Sequence, residues 1–147
     1  MKHSAAKKVI NELLVEVFNN ILSIEQQNLK ARGVKLSMNE VHVLEAIIKT
    51  KEPTMSNIAQ RLRVTVGTLT TSINRLVDKG YCERFSTEGD RRKVLIRLTD
   101  KAKEVLAIHE EFHEEMIEAV VEDMQLEDNS VLIESLENIA QYFKSKY

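Results

Sequence analysis

The sequence predicts a mostly α-helical winged helix-turn-helix fold, in the order α-α-α-α-β-β-α-α, on three observations. Apolar residues recur at helical spacing through almost the whole of the 147 residues. Only at Tyr81–Phe85 and Val94–Leu98 does the pattern shorten to the alternation of a strand. Capping and breaking residues stand between the periodic stretches, so each helix has a start and a stop.

The first helix covers residues 5–30, with Val9, Leu13, Val17, Ile21, Ile24 and Leu29 forming a stripe that Ile10, Leu14, Phe18 and Leu22 widen. A band that broad is expected to pack on more than its own subunit. Residues 31–35, centred on Gly33, break it. Ser37 caps the second helix, which runs through Lys49 with Glu40 at the capping-box position and Val41, Leu44, Ile47 and Ile48 inward. Thr54 caps the third, with Ile58, Ala59 and Leu62 buried. Arg63-Val64 makes the tight turn, and Thr65 caps the fourth helix, which Gly80 ends. Leu69, Ile73, Leu76 and Val77 face its core side. Gly67 within it costs about 1 kcal/mol against alanine, which makes sense if the backbone there must approach a phosphate or a base step. In the second strand, Val94, Ile96 and Leu98 alternate with Leu95 and Arg97. Thr99 caps a long helix over 100–124. Asp128 or Asn129 starts the last, with Val131, Leu132, Leu136, Ile139 and Phe143 apolar.

This length suits one domain over 1–147, with a lobe at 36–99 and end helices at 1–30 and 125–147 pairing two copies. With 43% hydrophobic and 30% charged residues, the composition is that of a folded globular chain, not a disordered one. No signal peptide precedes the first helix, and no apolar run approaches the roughly 18 residues of a membrane span, so a cytoplasmic protein is expected. Cys82 has no partner cysteine in the chain and reads as a buried thiol in a strand.

The net charge of -2 hides a separation. Residues 1–53 carry +2, residues 54–99 carry +5 and residues 100–147 carry -9. A basic module beside an acidic helical body points to nucleic acid, which the overall balance would not.

The positive segment holds a helix, a tight turn, a second helix and a basic hairpin, the layout of a DNA reader. Thr65, Thr68, Thr70, Thr71, Asn74 and Arg75 are short hydrogen-bonding side chains, with one arginine, suited to base edges and phosphates. Gly67 admits close backbone approach, and Ser56 with the amides beside it suits a phosphate. Arg91, Arg92 and Lys93 follow a Gly89-Asp90 turn and suit a minor groove, where A·T-rich narrowing strengthens their attraction. Asp90 is an anion at this surface; its expected role is to clamp a wing arginine by a bidentate pair. A homodimer would set two such helices in successive major grooves, roughly 34 Å apart.

Enzyme chemistry finds no support: no nucleophile has a positioned base, and neither a GxGxxG run nor a phosphate-binding loop is present. A metal is the alternative to weigh. His109 and His113 stand four apart on one helix, and with His42 and Glu25 they make a plausible tetrahedral zinc set. The bland reading is that these histidines pack and hydrogen-bond among Phe112, Met116 and the second helix.

The run Asp90-Arg91-Arg92, followed by Leu98-Thr99 opening a long helix, resembles the MarR family of winged-helix transcription regulators, and the likeness covers the whole chain. Three segments resemble the branch that represses fatty-acid biosynthesis: Phe18–Leu22 with Ile24-Glu25, Val64–Ser72, and His109–Met116. That resemblance implies a homodimer on a palindromic operator, with a long acyl chain on acyl carrier protein (acyl-ACP) as corepressor. An acyl chain needs a dry tunnel, for which Ile21, Leu22, Ile24, Leu29, Val43, Ile47, Phe112 and Met116 are candidates, each equally at home in an ordinary core. Lys30, Arg32 and Lys35 are the nearest basic cluster for an acidic carrier. The histidine set is similar to one site of the zinc-responsive repressors in the same family, although Ala31 and Val41 replace ligands of that branch's second site. Two alternatives therefore accompany a fatty-acid repressor: a zinc-responsive repressor of metal uptake genes, and a helical protein-interaction module.

Overall fold

In the computed structural model, which describes residues 2–146, the first helical stretch is not uniform. α1 (Lys2–Glu12) passes through a π-helical turn at Leu13–Val17 into α2 (Phe18–Ala31). A π turn takes an extra residue per turn and so rotates the apolar stripe along the helix. Gly33, at φ +77°, lets the chain leave α2, while Val34 N–H donates to Leu29 O at 2.9 Å.

The expected capping box starts α3 (Met38–Lys49): Glu40 N–H donates to Ser37 Oγ at 3.2 Å and Ser37 N–H to Glu40 Oε1 at 3.1 Å. Gln26 ties α2 to this start, donating to Leu36 O at 3.1 Å and accepting from Met38 N–H at 2.9 Å. Thr54 caps α4 (Met55–Leu62), and Arg63, in the left-handed conformation at φ +57°, turns the chain toward α5 (Val66–Asp78). β1 (Cys82–Thr87) and β2 (Asp90–Leu98) form an antiparallel hairpin, and Thr54 bridges to Leu95 on the other side of β2. Leu95 and Ile96 are both buried where simple alternation was expected, so both faces of β2 are covered at this point. Thr99 Oγ1 donates to Gly80 O at 2.7 Å and accepts from Ala102 N–H at 3.4 Å, opening α6 (Asp100–Met124).

The chain divides into two compact units, one through His109 and one from Glu110 onward. The core of the first gathers Val41, Leu44, Ile58, Leu69, Ile73 and Ile96, all essentially inaccessible to water. Full burial of each such side chain is worth about 1.5–3 kcal/mol. Leu29 belongs to the same core, so the end of α2 is part of this unit and not only a pairing arm. Cys82 is buried here, and burial pushes its thiol up to about 12, against a smaller opposing pull from Arg84.

In the second unit, Asn129 Oδ1 accepts from Leu132 N–H at 3.1 Å and caps α7 (Ser130–Lys144). No residue of α7 is buried; Val131, Ile133, Leu136, Tyr142 and Phe143 stand exposed. No helix among the described residues is long and apolar enough to cross a membrane.

Candidate nucleic-acid interface

The start of α5 is an open helix N-terminus. Thr65 Oγ1 accepts the Thr68 amide at 3.1 Å and donates to Thr68 Oγ1 at 2.9 Å. The cap thereby satisfies one amide, and the rest of the exposed first turn carries the partial positive charge that attracts anions. Gly67 is helical and exposed, and a Cβ built on it meets only Thr65 Oγ1 at 3.9 Å. Nothing inside the fold requires a glycine there.

Farther along, Thr70 Oγ1 donates to Val66 O at 2.8 Å and Thr71 Oγ1 to Gly67 O at 3.4 Å. Both hydroxyl protons are committed to the helix, so these oxygens are left as acceptors. Thr71, Asn74 and Arg75 are exposed, while Thr70 is half-buried. Ser56 is exposed in the first turn of α4.

In the wing, Glu88-Gly89 makes the turn and Asp90 already belongs to β2. The ladder pairs Ser86 with Val94 but Thr87 with Asp90, so Arg91, Arg92 and Lys93 have no partner on β1. This bulge is where the three basic residues leave the sheet. The bidentate clamp expected of Asp90 is not formed: its Oδ1 accepts the Arg92 backbone N–H at 3.0 Å. A carboxylate two residues upstream reaches the main chain more easily than the end of a long side chain, and the turn it fixes orients Arg92 from the backbone. Lys93 departs from expectation too: its ammonium pairs with Glu52, and the residue is half-buried. Arg91 and Arg92 are exposed, with no acidic partner among the described residues.

One polar residue of this surface went unread in the sequence. Arg84, on β1, donates through Nη2 to Asn74 Oδ1 and so joins the wing to α5. Its strand position gave no signal of this, because only the packing of β1 on α5 brings residues ten apart into contact.

The remaining candidates scatter. Leu29, Val43 and Ile47 are packed into the core of the first unit; Ile21 and Leu22 are half-buried and Ile24 is exposed. Phe112 and Met116, in the second unit, are half-buried. Lys30, Arg32 and Lys35 are exposed. Glu25 and His109 are both buried in the first unit, with ligand atoms within 4.8 Å of each other. His109 Nε2 lies 3.0 Å from Glu45 Oε1, and His113 follows one turn later on α6. His42 is half-buried and does not join Glu25 and His109 in a group that could hold an ion.

The MarR family profile matches residues 36–94. The regulator PecS of Dickeya dadantii (strain 3937) is 37% identical over 70 residues, 46% of this chain and 42% of its own length. YhjH, an HTH-type transcriptional regulator of Bacillus subtilis (strain 168), is 25% identical over 80 residues, 54% of this chain and 46% of its own. The chain thus spans under half the length of these curated relatives. Among solved structures, Streptococcus pneumoniae FabT in complex with DNA matches at 38% identity and a TM-score of 0.85, over 96% of this chain and 99% of that one.

Proposed function

The chain belongs to the MarR family of transcriptional regulators, and on that premise we propose that it is a homodimeric DNA-binding repressor of fatty-acid biosynthesis genes. It is a regulator, not an enzyme. The observation that carries the DNA reading is the pair of surfaces on one lobe: an exposed helix N-terminus at Thr65–Thr68 and two exposed guanidiniums, Arg91 and Arg92, on a bulged wing. The first offers amides and hydroxyls to the major groove, the second offers cations to phosphates or a narrow minor groove. Whole-length likeness to a protein solved in complex with DNA supports DNA binding.

Homodimerisation is supported by the exposed apolar residues of α1, the π turn and α7, which are too many for a lone solvated chain. Two copies read a palindromic, A·T-rich operator through half-sites about 34 Å apart. Long-chain acyl-ACP is the corepressor: an acyl chain that binds better to the DNA-competent spacing of the two reading helices shifts the population toward it. Of the candidate lining residues in the first unit, Ile21, Leu22 and Ile24 are those not already committed to a packed core.

Operator affinity on the chain's own promoter region, measured by anisotropy with acyl-ACP, free fatty acid and zinc in separate arms, tests the reading. Tightening by acyl-ACP alone supports it. An affinity that none of the three shifts more than a few-fold removes the ligand assignment. Absence of salt-sensitive, sequence-selective binding removes the DNA assignment and favours a protein-interaction module.

A second reading has its own observation. A buried carboxylate and a buried imidazole, Glu25 and His109, lie close enough to share an ion, with His113 one turn along. Zinc there would act by holding helices together, and equilibrium dialysis of wild type against His109→Ala tests it: no difference in bound zinc ends this reading.

A further inference from the structure

Asn74 is the polar side chain of α5 whose orientation another residue controls. Its Oδ1 accepts from Arg84 Nη2 in a charge-assisted bond. Amide oxygen and nitrogen are easily interchanged, but here the chemistry decides between them. A guanidinium carries donors and no acceptor, so the amide atom that faces it must be the oxygen. Nδ2 is therefore the end of Asn74 turned away from the wing. Both residues are exposed, so this paired head stands at the surface that the DNA reading assigns to the major groove.

A free asparagine commonly reads adenine, accepting from N6 and donating to N7. That mode is weakened here: Oδ1 keeps a second lone pair, but the guanidinium on its first repels the partly positive N6 amino group. The guanine edge presents N7 and O6, both acceptors, to the N–H groups of Nδ2 and to the remaining N–H groups of the guanidinium. We propose that Arg84 is a specificity-determining positioning residue: by holding Asn74 Oδ1 it makes the pair a donor-rich, cationic head that favours guanine over adenine in each half-site. This deepens the DNA-binding reading and rests on it.

The test is selection from a randomised duplex library with the full-length protein, with long-chain acyl-ACP present and absent. Wild type, Arg84→Ala, Arg84→Lys and Asn74→Asp are compared, each first checked for an unchanged circular-dichroism melt. Wild type is expected to enrich guanine at one position of each half-site. Arg84→Ala frees the amide and shifts that position to adenine, a change in discrimination of about tenfold. Arg84→Lys, which keeps a cationic donor beside Oδ1, keeps guanine. Asn74→Asp removes the amide donors and loses the guanine preference. The same base at every position for wild type and Arg84→Ala overturns the proposal. So does a uniform loss of affinity with a shallower salt dependence and no change of base, which would make Arg84 a phosphate contact. If wild type enriches no sequence under either condition, the DNA reading itself fails.

Discussion

Glu40 and Lys79 join the first turn of α3 to the end of α5: the ammonium lies 3.0 Å from Oε2 and 3.2 Å from Oε1. The same carboxylate accepts the Ser37 amide in the capping box. One side chain therefore both starts a core helix and anchors the far end of the helix that carries the reading face.

Burial pushes the Glu40 carboxyl upward, but the hydrogen bond from Lys79 and those from Ser37 outweigh it and leave its pKa below the ordinary 4.5. A lowered carboxylate contributes stability above its unfolded pKa and loses it as pH falls through the folded one. Glu40→Gln, which keeps the capping geometry, is expected to melt earlier at pH 7 by no more than about 1 kcal/mol, since solvent screens the pair. That difference should shrink as pH drops below 4.5. A gap that stays constant to pH 3 would show that charge plays no part.

Gly67→Ala separates stability from function. Its site is helical and open, so alanine is expected to raise stability by about 0.5–1 kcal/mol in a denaturant titration. The added methyl stands where a phosphate or base step would approach, and operator affinity should fall about tenfold, the cost of one hydrogen bond to a charged group. A variant both more stable and equally tight would remove Gly67 from the interface.

The wing predicts an order among its cations. Arg91→Ala and Arg92→Ala should each weaken binding across sequences and reduce the slope of log affinity against log salt by about 1. Lys93→Ala should change the slope less, because Glu52 already pairs with Lys93. Equal effects at all three positions would mean that this pair opens on DNA.

Cys82 should be inert. With its thiol near 12, iodoacetamide at pH 8 is expected to label the native chain far more slowly than the unfolded one. The raised pKa stabilises the fold fully below the ordinary value of 9.0, and that contribution fades as pH rises toward 12. Native labelling at the unfolded rate would place the sulfur at the surface.

Phe18, 56% exposed, and Phe143, 43% exposed, are the large side chains to charge in order to test pairing. Phe18→Glu and Phe143→Glu are each expected to convert a dimer to monomers in sedimentation velocity. Loss of the second half-site contact should then cost about 100-fold or more in operator affinity. A dimer that survives both changes would place the interface elsewhere.

Most of the architecture was written in short-range chemistry. Ser37, Thr54 and Thr65 announce three helix starts because a capping side chain bonds amides only a few residues away, and Gly33 and Gly80 mark stops because few other residues tolerate φ near +80°. The reading face of α5 was legible for the same reason: a 3.6-residue period separates Leu69, Ile73 and Leu76 from the polar residues without help from any neighbour. Contacts that cross elements were not. The bulge that releases Arg91–Lys93, the pairing of Lys93 with Glu52 and the Arg84 hold on Asn74 lie outside what periodicity and caps convey. Sequence alone marked out the polar and basic residues proposed to meet DNA; the packing of β1 and β2 against their neighbours decided which of those groups remain available. The reason is that side-chain hydrogen bonds depend on register and distance across elements, and these exist only once the core has closed.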